Sequence, residues 1–150
     1  AIVGLGIGRR SPGEPKHTAR NILETSEFVI NLVDHANRDA MNMTGADVDD
    51  DIDESVLAGI EMIASASVKP RRVASSPIAF ECVLHQSINL TADRHLILGR
   101  ILTMHIDDSM LAPTGDFHVA TPQLDLIGRM HGAGWYTRTD HLFQMPRIKP

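Results

Sequence analysis

Apolar and polar residues alternate along two long neighbouring stretches in the middle of the chain. In residues 78–90 many apolar side chains stand at even-numbered positions, while Glu81 and His85 stand at odd ones. Residues 95–107 repeat this pattern after a turn. An alternation with a period of two is typical of a strand with one buried face. The pattern predicts two long strands joined as a hairpin. The residues predicted to face the core are Ile78, Phe80, Cys82, Leu84, Ile88, Leu90, Leu96, Leu98, Leu102, Met104 and Ile106.

The remaining segments predict shorter elements around this hairpin. Ala19, Ile22 and Leu23 have helical spacing, and Pro15 stands just before them, as is typical of a short helix. The other predicted elements are a buried strand at residues 1–8, a strand at 27–33, a second short helix at 35–43 and a solvated acidic loop at 46–55. Long adjacent strands with few helices favour a mainly β fold, with a closed or split antiparallel barrel as its architecture.

Length and composition predict one folded domain. The chain has 150 residues, of which 43% are hydrophobic and 22% are charged, the usual mixture for a globular protein. The formal net charge of -5 argues against general binding to nucleic acid, which needs a basic surface. No stretch is long and apolar enough to span a bilayer, and the apolar start does not resemble a secretory signal. Cys82 is the single cysteine and cannot form an internal disulfide, so a reducing cytoplasm is the expected compartment. We expect residues 1–150 to form one domain, away from membranes.

Positive charge and hydrogen-bond donors are gathered at one bend, GRRSPGEPKHTARNI in residues 8–22. A helix start exposes unpaired amides and carries positive dipole character, to which Lys16 and Thr18 add an ammonium group and a hydroxyl. Arg9 and Arg10 reach the same bend from the preceding strand. This combination suits a phosphate group. In the alternative interpretation Thr18 only satisfies the helix start and the basic side chains are solvated; the local sequence leaves both open.

Other kinds of site find little support in the sequence. The phrase GLGIG lacks the spacing of a dinucleotide-binding fingerprint, and the acidic run lacks the glycine of a calcium-binding loop. His85, His95 and His105 lie on the wet face of the predicted hairpin, with no ligand spacing that completes a metal site. Cys82 stands among apolar neighbours, where a thiol is inert. The sequence therefore predicts neither a metal site nor a catalytic nucleophile.

A glycine-containing segment near the C-terminus, IGRMHGAGWYTRTDHLFQMPR, carries the only Trp and the only Tyr of the chain. It is either a closing strand with aromatic packing or the wall of a site for a planar ligand. Aromatic and guanidinium groups both stack on ring systems, so either use is compatible with its composition. The residues alone leave this choice open.

Six phrases, in order along the chain, together resemble the flavin reductase-like family, whose fold is the FMN-binding split barrel. They are GRRSPGEPKHTARNI, EFVINLV, AMNMTGAD, SVKPRRVASSPIAFECVLHQ, LILGRILTMHI and GWYTRTDHLFQMPR, and they cover most of the chain. The resemblance implies an FMN-dependent NAD(P)H oxidoreductase that binds FMN at a homodimer interface and transfers hydride from NADH or NADPH to flavin. In some family members the reduced flavin passes to a separate monooxygenase.

The resemblance also implies which residues hold the cofactor. The family's segment usually reads proline, lysine, aspartate, threonine, and its lysine and threonine lie by the flavin phosphate. Lys16 and Thr18 match those positions, with Arg9 or Arg10 as a supporting charge. His17 departs from the usual aspartate, so the phosphate contacts carry over but a hydrogen bond made by that aspartate does not.

Near the C-terminus, Tyr136 and Arg138 match the family's tyrosine and arginine, which the resemblance places near the flavin or the partner subunit. Family members normally have further strands before the position of Ile2, which supply much of the contact to the flavin ring and ribityl chain. We therefore expect an N-terminally incomplete domain. The alternative function is a non-catalytic flavin-binding or dimerisation module, and a third is an anion-binding β domain without flavin.

Overall fold

The computed structural model describes residues 1–9, 15–49, 51–91, 94–112 and 118–148. The strands are β1 (Ile2–Gly8), β2 (Glu27–Asn31), β3 (Met62–Ile63), β4 (Arg72–Val73), β5 (Ile78–Thr91), β6 (Arg94–Ile106), β7 (Ile127–His131) and β8 (Trp135–Arg138). The helices are α1 (His17–Thr25), α2 (Arg38–Met43) and α3 (Glu54–Leu57), and 3-10 turns lie at Asp108–Met110 and Thr121–Leu124. No helix in these described ranges is long and apolar enough to cross a membrane. The prediction of a mainly β fold with short helices is confirmed.

A four-stranded antiparallel sheet organises the fold, in the order β1, β6, β5, β2. β5 and β6 are the long strands of the predicted hairpin, and they pair from Ile78 opposite Ile106 to Thr91 opposite Arg94. β3 pairs with β4, and β7 pairs with β8, in two smaller sheets. The hairpin and the first helix therefore lie where the sequence predicts them, while α2 is shorter than its predicted range.

The core lies between helix α1 and one face of the large sheet. Ile22 of α1 packs with Phe28, Cys82 and Ile97 in one buried cluster, and apolar residues of β1 pack against it from the edge. α1 turns Ala19 and Ile22 inward, which follows from their helical spacing. Cys82 thus occupies the core, as predicted.

On β6 the predicted core face is wrong. The buried residue is the odd-numbered Ile97, with 0% exposure, whereas Leu102 is 41% exposed and Met104 is 54% exposed. The register contributes to this, because Cys82 lies opposite Ile101 and Leu84 opposite Gly99, so between two shifts in the pairing even positions of β5 share a face with odd positions of β6. Shifts in the pairing also insert extra residues, which break a simple alternation.

Three further segments differ from their predictions. β1 is an edge strand of the described sheet, not a buried strand, because among the described residues it pairs only with β6 and Ile2 is 52% exposed. In the acidic run, Asp53 accepts the Ser55 amide at 2.8 Å and begins α3, so the end of the run is a helix start. Leu90, near the tip of the hairpin, is 55% exposed, because the core does not extend that far along β5.

Gly99 in β6 lies directly against the ring of Phe28. A Cβ atom at position 99 would stand 2.3 Å from Phe28 Cζ, far inside van der Waals contact. Because Phe28 belongs to the core cluster, its ring cannot move without disturbing that cluster. We expect Gly99→Ala to lower the free energy of unfolding by about 1–3 kcal/mol. Chemical denaturation checks this against Gly6→Ala, where a Cβ meets nothing within 4 Å; equal losses would contradict the packing.

Cys82 is expected to be structural, because its side chain is fully buried in the core cluster. Burial also raises the pKa of the Cys82 thiol, which leaves less of the reactive thiolate at neutral pH. We expect a thiol reagent to label the native protein orders of magnitude more slowly than the denatured chain, since labelling must wait for local opening. Cys82 is the only cysteine, so a colorimetric thiol assay follows this site alone. Equal rates in the two states would place the thiol at the surface.

Candidate functional site

The start of α1 offers hydrogen-bond donors without a side-chain cap. Lys16 is the N-cap residue in an extended conformation, with φ -60° and ψ 149°, and its side chain makes no capping hydrogen bond. Its carbonyl accepts the amide of Arg20, and the first turn holds no acidic residue. Thr18 lies inside the helix with an exposed side chain, so it does not act as the cap. The amides and dipole of this helix start favour an anion.

Lys16 and Thr18 line a cleft of about 140 Å³, which we call the α1 cleft. The other lining residues include the loop at residues 44–48, which follows α2, and Glu54 of α3. The donors of the helix start fit a phosphate group here. Asp47 and Glu54 bring negative charge to the same cleft, and this charge opposes an anion. The α1 cleft is therefore rich in donors but mixed in charge.

Arg9 and Arg10 were predicted to support this site from the preceding bend. Arg9 forms an antiparallel bridge with Pro15, so the backbone returns to β1 immediately before Lys16. The Arg9 side chain is exposed. Arg10 lies outside the described residues. The structure therefore brings the Arg9 backbone next to the segment that carries Lys16 and Thr18.

Tyr136 and Arg138 of β8 line a different cleft, of about 430 Å³, which we call the β8 cleft. It lies between α2 and the hairpin of β7 and β8, and its walls include the apolar side chains Met41 and Ile127. Tyr136 is 41% exposed, so its ring is accessible to a ligand. An accessible aromatic ring beside apolar and charged side chains suits a planar ligand.

The Arg138 guanidinium is already paired within this chain. Its Nε and Nη2 donate to the two carboxylate oxygens of Asp125, each at 2.8 Å, and Nη2 lies 3.4 Å from Asp140 Oδ2. The hydrogen bond from Arg138 holds the pKa of the Asp125 carboxyl below its usual range. The Asp125 carbonyl accepts the His35 amide at 2.9 Å, so the pair ties β8 to the segment before α2. A flavin contact by Arg138 would have to use its remaining N–H groups.

The predicted site residues thus fall into two groups. Lys16 and Thr18 line the α1 cleft, whereas Tyr136 and Arg138 line the β8 cleft. α2 contributes residues to the β8 cleft, and the loop after it contributes to the α1 cleft. One ligand can use both groups only if it extends past α2 or if the second group comes from another subunit.

A buried polar cluster on β5 and β6 was not predicted. Glu81 has 0% exposure, and its carboxylate accepts His105 Nε2 at 2.6 Å. It also accepts the amides of Ala66 at 2.7 Å and Ser67 at 2.5 Å, from the loop between β3 and β4. Because this loop covers the sheet, the expectation that Glu81 lies on a wet face is wrong, and His105 is only part-exposed.

The donors around Glu81 decide its charge. Burial alone raises the pKa of the Glu81 carboxyl, but the Ala66 amide, His105 and the Ser67 amide outweigh burial and hold this pKa below its usual range. The carboxylate is therefore ionised and satisfied by its neighbours. A single acidic residue inside the apolar run IAFECVL is the signal that could have marked a buried carboxylate.

The comparison with known families now decides the relationship. The model of the flavin reductase like domain matches residues 1–125. The chain belongs to this family. The resemblance predicted from the six phrases is therefore confirmed, and the sheet described above is part of a flavin reductase-like split barrel.

Three known proteins are similar to this flavin reductase-like domain. An uncharacterized protein of Deinococcus radiodurans is 34% identical over 147 residues, covering 98% of this chain and 64% of that protein. Nitrilotriacetate monooxygenase component B from Bacillus cereus has a TM-score of 0.88 and 26% identity, with coverage of 96% of this chain and 71% of that one. A protein with a split barrel domain from Shewanella frigidimarina has a TM-score of 0.82 and 22% identity, with coverage of 98% of this chain and 71% of that one.

The chain spans less than two thirds of the length of the curated relatives that it matches, for example 64% of the Deinococcus radiodurans protein. The structural matches show the fold over nearly the whole of this chain. The activity, substrates and partners of the whole protein are therefore treated as proposals below.

Proposed function

We propose that this flavin reductase-like domain binds FMN and, with NADH or NADPH as reductant, acts as a flavin reductase. The observation that carries the proposal is the start of α1, where the N-cap residue Lys16 makes no side-chain capping hydrogen bond and lines the α1 cleft together with Thr18. FMN ends in an anionic phosphate, which the helix dipole and the Lys16 ammonium group stabilise. The family match over residues 1–125 supports flavin as the ligand class.

Each proposed ligand has one task in binding. Lys16 and Thr18 hold the phosphate, and the arginines of the bend add positive charge beside it. The aromatic ring of Tyr136 and the free edge of Arg138 contact the flavin or the partner subunit. The proposed FMN-binding residues are Arg9, Arg10, Lys16, Thr18, Tyr136 and Arg138.

When bound, flavin supplies the redox chemistry, because it accepts a hydride from the nicotinamide and passes the electrons on. The part of the chain is to fix the phosphate at α1, to orient the ring and to exclude water. This division asks for no nucleophile on the protein, which agrees with the inert, buried position of Cys82.

We also propose that the domain works as a homodimer. Large apolar side chains near the C-terminus are at least 62% exposed: Trp135, Leu142, Phe143, Met145 and Ile148. Soluble proteins normally cover such apolar surface by association. A second subunit would also let Tyr136 and Arg138 reach a flavin held at the α1 cleft of the partner.

The dimer is tested by light scattering at low protein concentration. We expect the mass of two chains, and we expect a variant with Leu142→Ser and Phe143→Ser to shift toward the monomer, because it removes apolar contact area. Val56→Ser is the matched control, since Val56 is 77% exposed but lies on α3. A stable monomer of the unaltered chain would refute the proposal.

For the electron acceptor we propose a separate flavin-dependent monooxygenase. The structurally similar Bacillus cereus protein is named as component B of nitrilotriacetate monooxygenase, and this supports a partner of the same class. The reductase activity itself is tested by following oxidation of NADH and of NADPH with added FMN. Steady oxidation that depends on FMN supports the proposal, and its absence with both nicotinamides contradicts it.

One observation favours a second function, a non-catalytic flavin-binding or dimerisation module. The large apolar side chains exposed near the C-terminus suit association whether or not flavin is reduced. A bound-flavin absorbance spectrum without nicotinamide oxidation would favour this module over the reductase. A chain that leaves the FMN spectrum unchanged would exclude the reductase and the flavin-binding module.

A further inference from the structure

We propose that a further cleft, next to β4 and the end of β6, binds an anion with phosphate or carboxylate oxygens. This cleft of about 340 Å³ is lined by residues that include Arg72, Ser76, His105 and Asp107, and we call it the Arg72 cleft. It shares no lining residue with the α1 cleft or the β8 cleft. The proposal therefore stands independently of flavin binding.

Arg72 carries a positive charge that nothing in the described part of the chain neutralises. Its Nε atom is buried and has no hydrogen-bond partner among the described residues. Two other buried side-chain atoms also lack a hydrogen-bond partner among the described residues, His95 Nδ1 and Thr139 Oγ1. Neither belongs to a permanently charged group. A buried N–H without an acceptor costs free energy, and a bound anion would supply the acceptor.

The acidic residue of the Arg72 cleft is engaged elsewhere. Asp107 Oδ1 accepts the amide of Ser109 at 2.9 Å and its hydroxyl at 2.6 Å, which caps the 3-10 turn after β6. These bonds hold the pKa of the Asp107 carboxyl below its usual range, so the group stays ionised in its capping role. Asp107 makes no ion pair with Arg72 within the described residues, and the Arg72 charge stays available to a ligand.

His105 lines the same cleft beside Arg72. Its Nε2 lies 2.6 Å from the carboxylate of Glu81, which is ionised and can only accept, so Nε2 carries a proton. The bond to Glu81 fixes the orientation of the His105 ring in the wall of the Arg72 cleft, so the ring signals report on a ligand bound there. A guanidinium makes charge-assisted hydrogen bonds to an anion, the stronger class.

The test is an NMR titration of the assigned His105 ring signals with inorganic phosphate and, in a second arm, with acetate. We expect saturable shifts, because His105 lines the cleft and reports on it directly. Arg72→Gln should lower the affinity for the anion by about tenfold or more, since a charge-assisted bond is lost. Arg71→Gln is the matched control, because Arg71 is exposed, adjacent, of the same charge and absent from the cleft lining.

The outcomes separate as follows. Shifts with phosphate alone identify a phosphate ligand, shifts with acetate alone identify a carboxylate, and either result supports the site. The site is refuted if neither anion shifts the His105 signals of the unaltered protein. It is also refuted if the Arg71 and Arg72 variants lose the same amount of anion affinity. If Arg72→Gln does not fold, Arg72→Lys keeps the charge and loses the planar fork, and it should also weaken the anion.

Discussion

Glu81→Gln will lower the free energy of unfolding at neutral pH by about 3 kcal/mol, because buried donors lose the acceptor that satisfies them. The Glu81 carboxylate accepts three donors, from His105, Ala66 and Ser67, and it has 0% exposure. An amide can accept through only one of its two terminal atoms, so one or more of these donors loses its partner. The loop between β3 and β4 should then loosen from the sheet.

The matched control for this prediction is Glu27→Gln. Glu27 accepts one amide of the same loop, from Lys69 at 2.9 Å, in a more exposed position. Its replacement makes the same chemical change but should cost less than about 1 kcal/mol. Urea denaturation of the unaltered protein and of the two variants measures both losses of stability. Similar losses in both variants would show that the buried cluster has no special role in stability.

The effect of Glu81→Gln should depend on pH in a defined direction. The pKa of the Glu81 carboxyl is lower in the folded protein than in the unfolded chain, so its ionised form stabilises the fold above the unfolded pKa. This contribution is lost as the pH falls through the folded pKa. The free energies of unfolding of the unaltered protein and of Glu81→Gln should therefore differ most near neutral pH, and this difference should shrink in acid below about pH 4. A difference that grows in acid would contradict the assigned charge.

The second large effect is expected at the α1 cleft. Replacing both Lys16 and Thr18 with Ala should lower the affinity for FMN by about a hundredfold, because a charge-assisted contact and a hydroxyl donor to the phosphate are lost. Riboflavin has the same ring and no phosphate, so its affinity should change little. Fluorescence titration of both ligands measures the two effects separately.

The control for this variant is a double replacement of the same residue types elsewhere. Lys69→Ala with Thr121→Ala removes one ammonium group and one hydroxyl from exposed positions that line neither the α1 cleft nor the β8 cleft. It should leave both affinities unchanged. Equal losses of FMN and riboflavin in the Lys16 and Thr18 variant would place these residues away from the phosphate.

Elements defined by local sequence could be predicted well. α1 follows from the spacing of Ala19 and Ile22 and from the proline before it, and the structure begins the helix one residue after Lys16. The hairpin of β5 and β6 follows from two long apolar alternations with a turn between them. These signals depend on neighbours in the chain, and they need no knowledge of tertiary contacts.

The faces of the hairpin could not be predicted in the same way. Extra residues shift the pairing after Glu81 and after Leu84, so no single parity describes one face along the whole hairpin. Gly99 is hidden from a hydrophobicity pattern, although it lies in the core against Phe28. The burial of Glu81 depends on amides of residues 66 and 67, which come from a distant loop.

The same distinction between local sequence and distant contacts applies to the candidate site. Lys16 and Thr18 could be placed at a helix start because the donors of that site are local to α1. The ion pair between Arg138 and Asp125 joins residues 13 positions apart and depends on how β8 packs. Nothing in the local sequence around Arg138 indicates that its guanidinium is held by a carboxylate of the same chain.

The start of α1 is proposed to receive the phosphate of a flavin. The most direct measurement is the ratio of the affinities of the unaltered chain for FMN and for riboflavin, taken from fluorescence titrations in the same buffer. Because the two ligands differ only in the phosphate, we expect FMN to bind at least about tenfold more tightly than riboflavin. Equal affinities, or no binding of FMN, would contradict it.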